Sequence, residues 1–253
     1  MEQLTTGQAI VQSLLRQGVD TVFGMPGVQT YDLFDAFYDA RDKIRVVLVR
    51  HEQAAAYMAY GYARSTGKVG VFSVVPGPGV LNTMSALCTA QGSNVPLVCL
   101  TSEIPTDFQG KGRRHLHEIR DQLGTLRSLI KWAEQCDAPE AAPALVNEAF
   151  KQSQSGRPGP VSLQVPWNVL GQTGDVILVD PEDLTRPAAQ ADEIEAAADL
   201  IAGASAPLIY VGGGALHAGT EVVELAERLG APIASFRSGR GVVSDDHPLT
   251  VML

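Results

Sequence analysis

The sequence predicts an α/β protein: a doubly wound parallel sheet followed by a partial second α/β domain. Three observations carry this expectation. Short apolar, β-branched runs alternate with helix-length segments from residue 5 to residue 165. Runs such as Pro96-Leu97-Val98-Cys99-Leu100-Thr101 have no polar alternation, which fits strands covered on both faces. A Pro-, Asp- and Gly-rich stretch over 171–190 reads as a linker, dividing a first domain (1–170) from a second αβαβ run (191–253).

In chain order, Thr5-Thr6 caps a helix through Arg16, with Ala9, Ile10, Leu14 and Leu15 on its apolar side and Gly18 just past its end. Thr21-Val22-Phe23 is a short strand running into the turn Gly24-Met25-Pro26-Gly27, which brings backbone close to whatever lies above the sheet. A helix over 31–40 and a buried strand over 44–49 follow. The helix formers Ala54, Ala55, Ala56, Met58 and Ala59 then start a helix to residue 64. Glu52 therefore sits in a first helical turn at the carboxyl end of a strand, where open α/β sheets place ligands. Complementing the helix dipole is the ordinary structural use of such an acid.

The next strand, 70–75, meets Pro76-Gly77-Pro78-Gly79 and a helix over 80–91. Free backbone N–H groups at such a helix start can receive polar or anionic atoms. The GxGxxG pattern and the Lys-Ser/Thr of a P-loop are absent. Prolines on both sides of Gly77 suggest a stiff surface held against a ligand, the plain alternative being a tight turn without one.

Residues 102–124 are polar and read as a mobile loop over a site. They include His115, His117 and Glu118, which would not converge on a helix, so no metal site is expected there. Lys111-Gly112-Arg113-Arg114, the densest basic run, is read as a loop, with anion binding as the alternative. A strand at 130–133, a helix over 142–154 and a strand at 161–165 complete the first domain. The second run has a helix over 191–202, a strand at 207–211, Gly212-Gly213-Gly214, a helix over 220–229 and a strand at 232–235. It is too short to complete a core, so the chain is expected to stop inside a domain.

Composition narrows the function classes. Of the 253 residues, 45% are hydrophobic and 19% charged, enough apolar material for a full core. A net charge of −9 without a basic stripe argues against nucleic acid as the main partner. No apolar run reaches membrane-spanning length and the first residues lack the regions of a signal peptide, so a cytoplasmic protein without a membrane partner is expected. Cys88, Cys99 and Cys136 lack metal spacing and read as reduced thiols, Cys99 as a core residue.

Taken together, Val22-Phe23-Gly24-Met25-Pro26-Gly27, Arg50-His51-Glu52-Gln53-Ala54-Ala55, Gly61-Tyr62-Ala63-Arg64, Gly77-Pro78-Gly79 with Asn82, and Gly156-Arg157-Pro158-Gly159-Pro160-Val161 resemble the amino-terminal part of thiamine-diphosphate enzymes of the acetolactate synthase type. Val211-Gly212-Gly213-Gly214 and Asp246-His247-Pro248-Leu249 extend the resemblance into a central domain. It implies that Glu52 bonds a ring nitrogen of the cofactor's aminopyrimidine and favours its imino form. That form takes the proton from the thiazolium carbon, and the resulting ylide attacks a 2-keto acid. The task suits an acid held in a mostly apolar site, which Ala54, Ala55 and Ala56 fit. By the same resemblance Pro76, Gly77 and Asn82 lie against the pyrimidine, and Gly24 and Pro26 line the cavity.

The chain departs from the family's pattern in three places. Val75-Pro76 stands where the family often has Ser or Thr before Gly-Pro-Gly. Leu116-His117-Glu118 stands for Phe-Gln-Glu, which puts His117 on the substrate side and leaves decarboxylation open beside carboligation. The Gly-Asp-Gly…Asn motif that holds the diphosphate through Mg2+ is absent. The expectation is half a site, completed by a diphosphate-binding domain from a continuation or a second chain, in a homodimer or larger assembly. Flavin (FAD) at Gly212-Gly213-Gly214 is the further cofactor the resemblance allows. The competing reading is a non-catalytic binding or interaction subunit that keeps the fold.

Overall fold

The structure, a computed structural model, describes residues 1–184 and 188–251. The chain divides into two compact units, Met1–Thr185 and Arg186–Leu253.

The first unit opens with β1 (Glu2–Thr5) and α1 (Thr6–Arg16). Thr5 caps α1 through a reciprocal box: its hydroxyl accepts the Gln8 N–H at 3.1 Å, and the Gln8 side chain accepts the Thr5 N–H at 3.0 Å. Thr5→Ala should cost about 1 kcal/mol and lower the melting temperature by roughly 2–4 °C, as read by calorimetry. Then come β2 (Thr21–Gly24), α2 (Tyr31–Asp39), β3 (Arg45–Leu48), α3 (Glu52–Thr66), β4 (Gly70–Val74), α4 (Pro78–Ser93) and β5 (Leu97–Glu103). The unit continues with α5 (Gln122–Arg127), β6 (Trp132–Gln135), α6 (Ala142–Gln154), β7 (Pro160–Pro166), α7 (Trp167–Leu170) and β8 (Thr173–Val176).

Six strands form one parallel sheet in the order β3-β2-β4-β5-β7-β6. Side chains alternate across it, and each face has its own core. Val71, Val98, Leu163 and Val22 pack with Ala9, Ile10, Leu14, Leu33, Phe37, Val146 and Phe150 under α1, α2 and α6. Phe72, Val74, Leu97 and Cys99 pack with Ala55, Ala56, Ala59, Val80, Leu87 and Leu126 under α3, α4 and α5. Burial on both faces explains the unbroken apolar strands. Cys99 is fully buried, which pushes its thiol pKa up to about 12 and makes it a core residue.

The strand order fixes where a ligand can sit. From β2 the chain steps outward to β3 and then back across to β4, so the winding reverses between β2 and β4. Open α/β sheets bind ligands at the carboxyl ends beside such a reversal. Gly24 is the last residue of β2, and Glu52 and Pro76 follow the ends of β3 and β4.

Four expectations need correction. The 44–49 strand is not buried: β3 is the sheet edge, and Leu48 is 65% exposed. The 171–190 span is not all linker, because β8 pairs antiparallel with β1, Glu2 opposite Val176; residues 185–187 of that span lie outside the described residues. The 102–124 region contributes the end of β5 and the start of α5. The strand expected at 130–133 begins at Trp132, because α5 and its exit occupy the preceding residues.

In the second unit, α8 (Ala191–Ala202), β9 (Ile209–Val211), α9 (Gly219–Leu229), β10 (Ile233–Ser235) and β11 (Thr250–Val251) give a three-stranded parallel sheet ordered β11-β10-β9. Its core is small: Val211, Ala226, Ile233, Val242 and Val243. None of the residues of α8 is buried.

Candidate functional site

Glu52 is the first residue of α3, and the backbone enters the helix through His51, whose ring Nδ1 accepts the Gln53 N–H at 3.2 Å. The carboxylate is 8% exposed. Its Oε2 accepts from Asn82 Nδ2 at 2.8 Å, and Oε1 takes part in no hydrogen bond among the described residues. Asn82 can reach it because α3 and α4 lie side by side. Gln53 donates to Ser85 Oγ at 2.9 Å, and Tyr57 lies 3.2 Å from Thr89 Oγ1. Of the three alanines expected to dry the site, Ala55 and Ala56 are buried and Ala54 is exposed.

The turns after β2 and β4 close on each other. The Met25 N–H donates to the Ser73 carbonyl at 3.2 Å, and a Cβ on Gly24 would lie 2.7 Å from that same oxygen. Gly24 is buried and Pro26 exposed at the rim. Past β4, Pro76 and Gly77 are buried. Gly79 packs so near the acid that an added Cβ would be 3.7 Å from Glu52 Cγ. Gly77 has φ 58° and ψ −114°, a conformation available to glycine alone, and its N–H donates to Gln122 Oε1 at 2.7 Å.

His117 lies directly over this turn: a Cβ on Gly77 would come within 2.1 Å of the His117 carbonyl oxygen. His117 itself has φ 70°. Its ring Nδ1 is buried without a hydrogen-bond partner among the described residues. Burial lowers its pKa, against the opposing pull of the Glu52 charge, so the neutral ring is favoured. The loop carrying it is held in place rather than loose. Gln29, fully buried at φ 77°, donates to the Leu116 carbonyl at 3.0 Å. The Phe108 and His115 rings stack at 4.5 Å, and Glu118 accepts the His115 N–H at 2.7 Å.

The structure thus brings together Glu52, Asn82, Gly77 and His117, with Gly24 on the adjoining turn. Among the described residues no three His, Cys, Asp or Glu side chains converge as metal ligands would. Sequence reasoning missed Gln29, Gln122 and Glu103. The last is a buried acid at the end of β5 whose pKa is raised by burial, opposed by a bond from the Ile104 N–H. A glutamine in a polar stretch carries no signal that it will be buried.

Comparison with known proteins identifies the family. Residues 4–125 match the N-terminal TPP binding domain of thiamine pyrophosphate enzymes, and residues 194–253 match their central domain. An acetolactate synthase from Arthrospira platensis is 38% identical over 99% of this chain and 45% of its own length. A probable 2-ketoarginine decarboxylase from Pseudomonas aeruginosa is 39% identical over 97% of this chain and 44% of its own length. The acetolactate synthase isozyme 3 large subunit of Escherichia coli is 35% identical over 98% of this chain and 44% of its own length. The chain therefore spans less than half the length of these relatives. Two domain types matching in the same order as in those enzymes place the chain in one family: it belongs to the thiamine pyrophosphate enzymes, with their N-terminal TPP binding domain and part of their central domain.

Proposed function

We propose that this chain supplies the pyrimidine-binding half of the active site in a thiamine-diphosphate-dependent enzyme acting on 2-keto acids, by carboligation or by decarboxylation. The observation that carries the reading is the buried Glu52 carboxylate, fixed on one oxygen by Asn82 and uncommitted on the other. Such an acid fits the ring nitrogen of an aminopyrimidine, which needs one hydrogen-bonding oxygen in a water-poor place. The unpartnered His117 Nδ1 adds a polar contact above the Gly77 turn.

When bound, thiamine diphosphate supplies the carbanion that adds to the keto carbonyl. The chain's own residues do the rest. Glu52 holds and returns a proton at the ring nitrogen. Asn82 keeps its carboxylate aimed. Pro76 and Gly77 offer the pyrimidine a rigid backbone surface, and Gly24 and Pro26 line the neighbouring wall. His117, neutral through burial, faces the substrate as donor or acceptor.

The relatives include an acetolactate synthase and a probable 2-ketoarginine decarboxylase, so the substrate class proposed is 2-keto acids. Mg2+ belongs on the diphosphate-binding domain that completes the site, in a homodimer or larger assembly. FAD would contact the Gly212–Gly214 turn at the end of β9. A cytoplasmic location is supported by three free thiols. No helix among the described residues is long and apolar enough to cross a membrane. The domain division proposed is 1–170 and 191–253, with 171–190 connecting them and carrying β8.

Calorimetric titration of thiamine diphosphate with magnesium into this chain alone tests the reading. No tight binding is expected. Tight, magnesium-dependent binding would overturn the half-site, because the chain would then own a diphosphate site.

A further inference from the structure

Gln122 is 2% exposed, and among the described residues its side-chain amide makes three hydrogen bonds. Its Oε1 accepts the Gly77 N–H at 2.7 Å. Its Nε2 donates to the Ser102 carbonyl at 2.9 Å and to Gln164 Oε1 at 3.1 Å. The amide orientation is not arbitrary, because a backbone N–H can only donate and a backbone carbonyl can only accept. That choice dictates the next ones. Gln164 Nε2 donates to Gln135 Oε1 at 2.7 Å, and Gln135 Nε2 donates to Asp137 Oδ1 at 2.7 Å. One directed line of amides therefore runs from the Gly77 N–H, across the carboxyl ends of β5, β7 and β6, to a carboxylate. It starts at the turn that packs against Glu52 and under His117.

The turn needs such an anchor. Gly77 sits at φ 58° and ψ −114°, a sparsely populated conformation that persists only where its surroundings hold it. Its N–H is buried and would otherwise be unpaired at a cost of about 1–3 kcal/mol. Gln122 in turn is placed by Asp121, which caps α5 by accepting the Gly124 N–H at 2.7 Å.

We propose that Gln122 is a positioning residue for the site: through Gly77 it fixes the turn on which the pyrimidine would rest, and with it the seat of His117. This rests on the function proposed above, so the experiment separates the two. Amide hydrogen exchange at Gly77 is measured by NMR on the whole chain, alone and with 4-amino-2-methylpyrimidine as the probe. Gln122→Met keeps volume and loses both polar ends. Gln122→Glu, measured at mildly acidic pH where burial favours the protonated acid, keeps the acceptor facing Gly77 and an O–H donor for the Ser102 carbonyl. Melting curves establish that each variant folds.

In Gln122→Met, Gly77 should exchange roughly tenfold faster than in the parent, with core amides of β5 unchanged, and the probe's shifts at Asn82 should disappear. Gln122→Glu should restore protection at Gly77. A packing role alone would leave Gln122→Met like the parent. Unchanged protection at Gly77 in a folded Gln122→Met would overturn the proposal. Absence of probe shifts in the parent chain would instead overturn the pyrimidine reading, with the anchor still decided by exchange.

Discussion

Replacing Glu52 by glutamine should reduce turnover of a 2-keto acid roughly 10²–10⁴-fold in the complete assembly, with the fold kept. The two side chains have the same shape. Asn82 Nδ2, now 2.8 Å from a carboxylate oxygen, would still find an amide oxygen there. No cavity opens around a side chain that is 8% exposed, so stability should change by no more than about 1 kcal/mol. What is lost is the ability to hold and release a proton, which an amide lacks at any working pH. Steady-state kinetics with melting curves on both proteins check this. Near-parental turnover in a folded Glu52→Gln would remove the acid from the chemistry and reduce it to complementing the dipole of α3.

The place of Glu52 was legible because local signals agree. A β-branched run ends and a string of alanines begins, and α3 does start at Glu52, with the unforeseen addition that His51 Nδ1 accepts the Gln53 N–H. The helix over 142–154 emerged with the bounds its apolar period implied. What escaped the sequence depends on partners distant along the chain. β1 and β8 pair residues 2–5 with 173–176, and neither segment has a strand pattern of its own. The edge position of β3 follows from strand order, which periodicity does not encode.

The polar loop was harder still. Its grip on the site runs through Gln29 and Gln122, which reach the Leu116 carbonyl and the Gly77 N–H. Buried glutamines look like surface glutamines until the backbone they satisfy is in place. The glycines of Gly77-Pro78-Gly79 were visible, but the close neighbour above the first of them, His117, was not.

That neighbour makes Gly77→Ala the substitution expected to do most damage to the fold of the site. Two costs add. An alanine at φ 58° and ψ −114° is strained by about 1–3 kcal/mol wherever it stands. Its methyl group would also lie 2.1 Å from the His117 carbonyl oxygen, which is backbone and cannot swing away. Either the turn gives up its bond to Gln122 or the His117 loop lifts. The second route also strains the Gln29 bond to Leu116, one residue from His117. A total of about 3 kcal/mol would lower the melting temperature by roughly 6–12 °C. At a temperature where the variant remains folded, binding of thiamine diphosphate in the complete assembly should weaken as well, because the surface proposed for the pyrimidine would have moved. Ala substitution at Gly61, where an added Cβ meets nothing within 4 Å, is the matched control and should melt like the parent or slightly higher. If Gly77→Ala melts with the control and binds normally, the turn is not held against His117, and the rigid seat assigned to the cofactor fails with it.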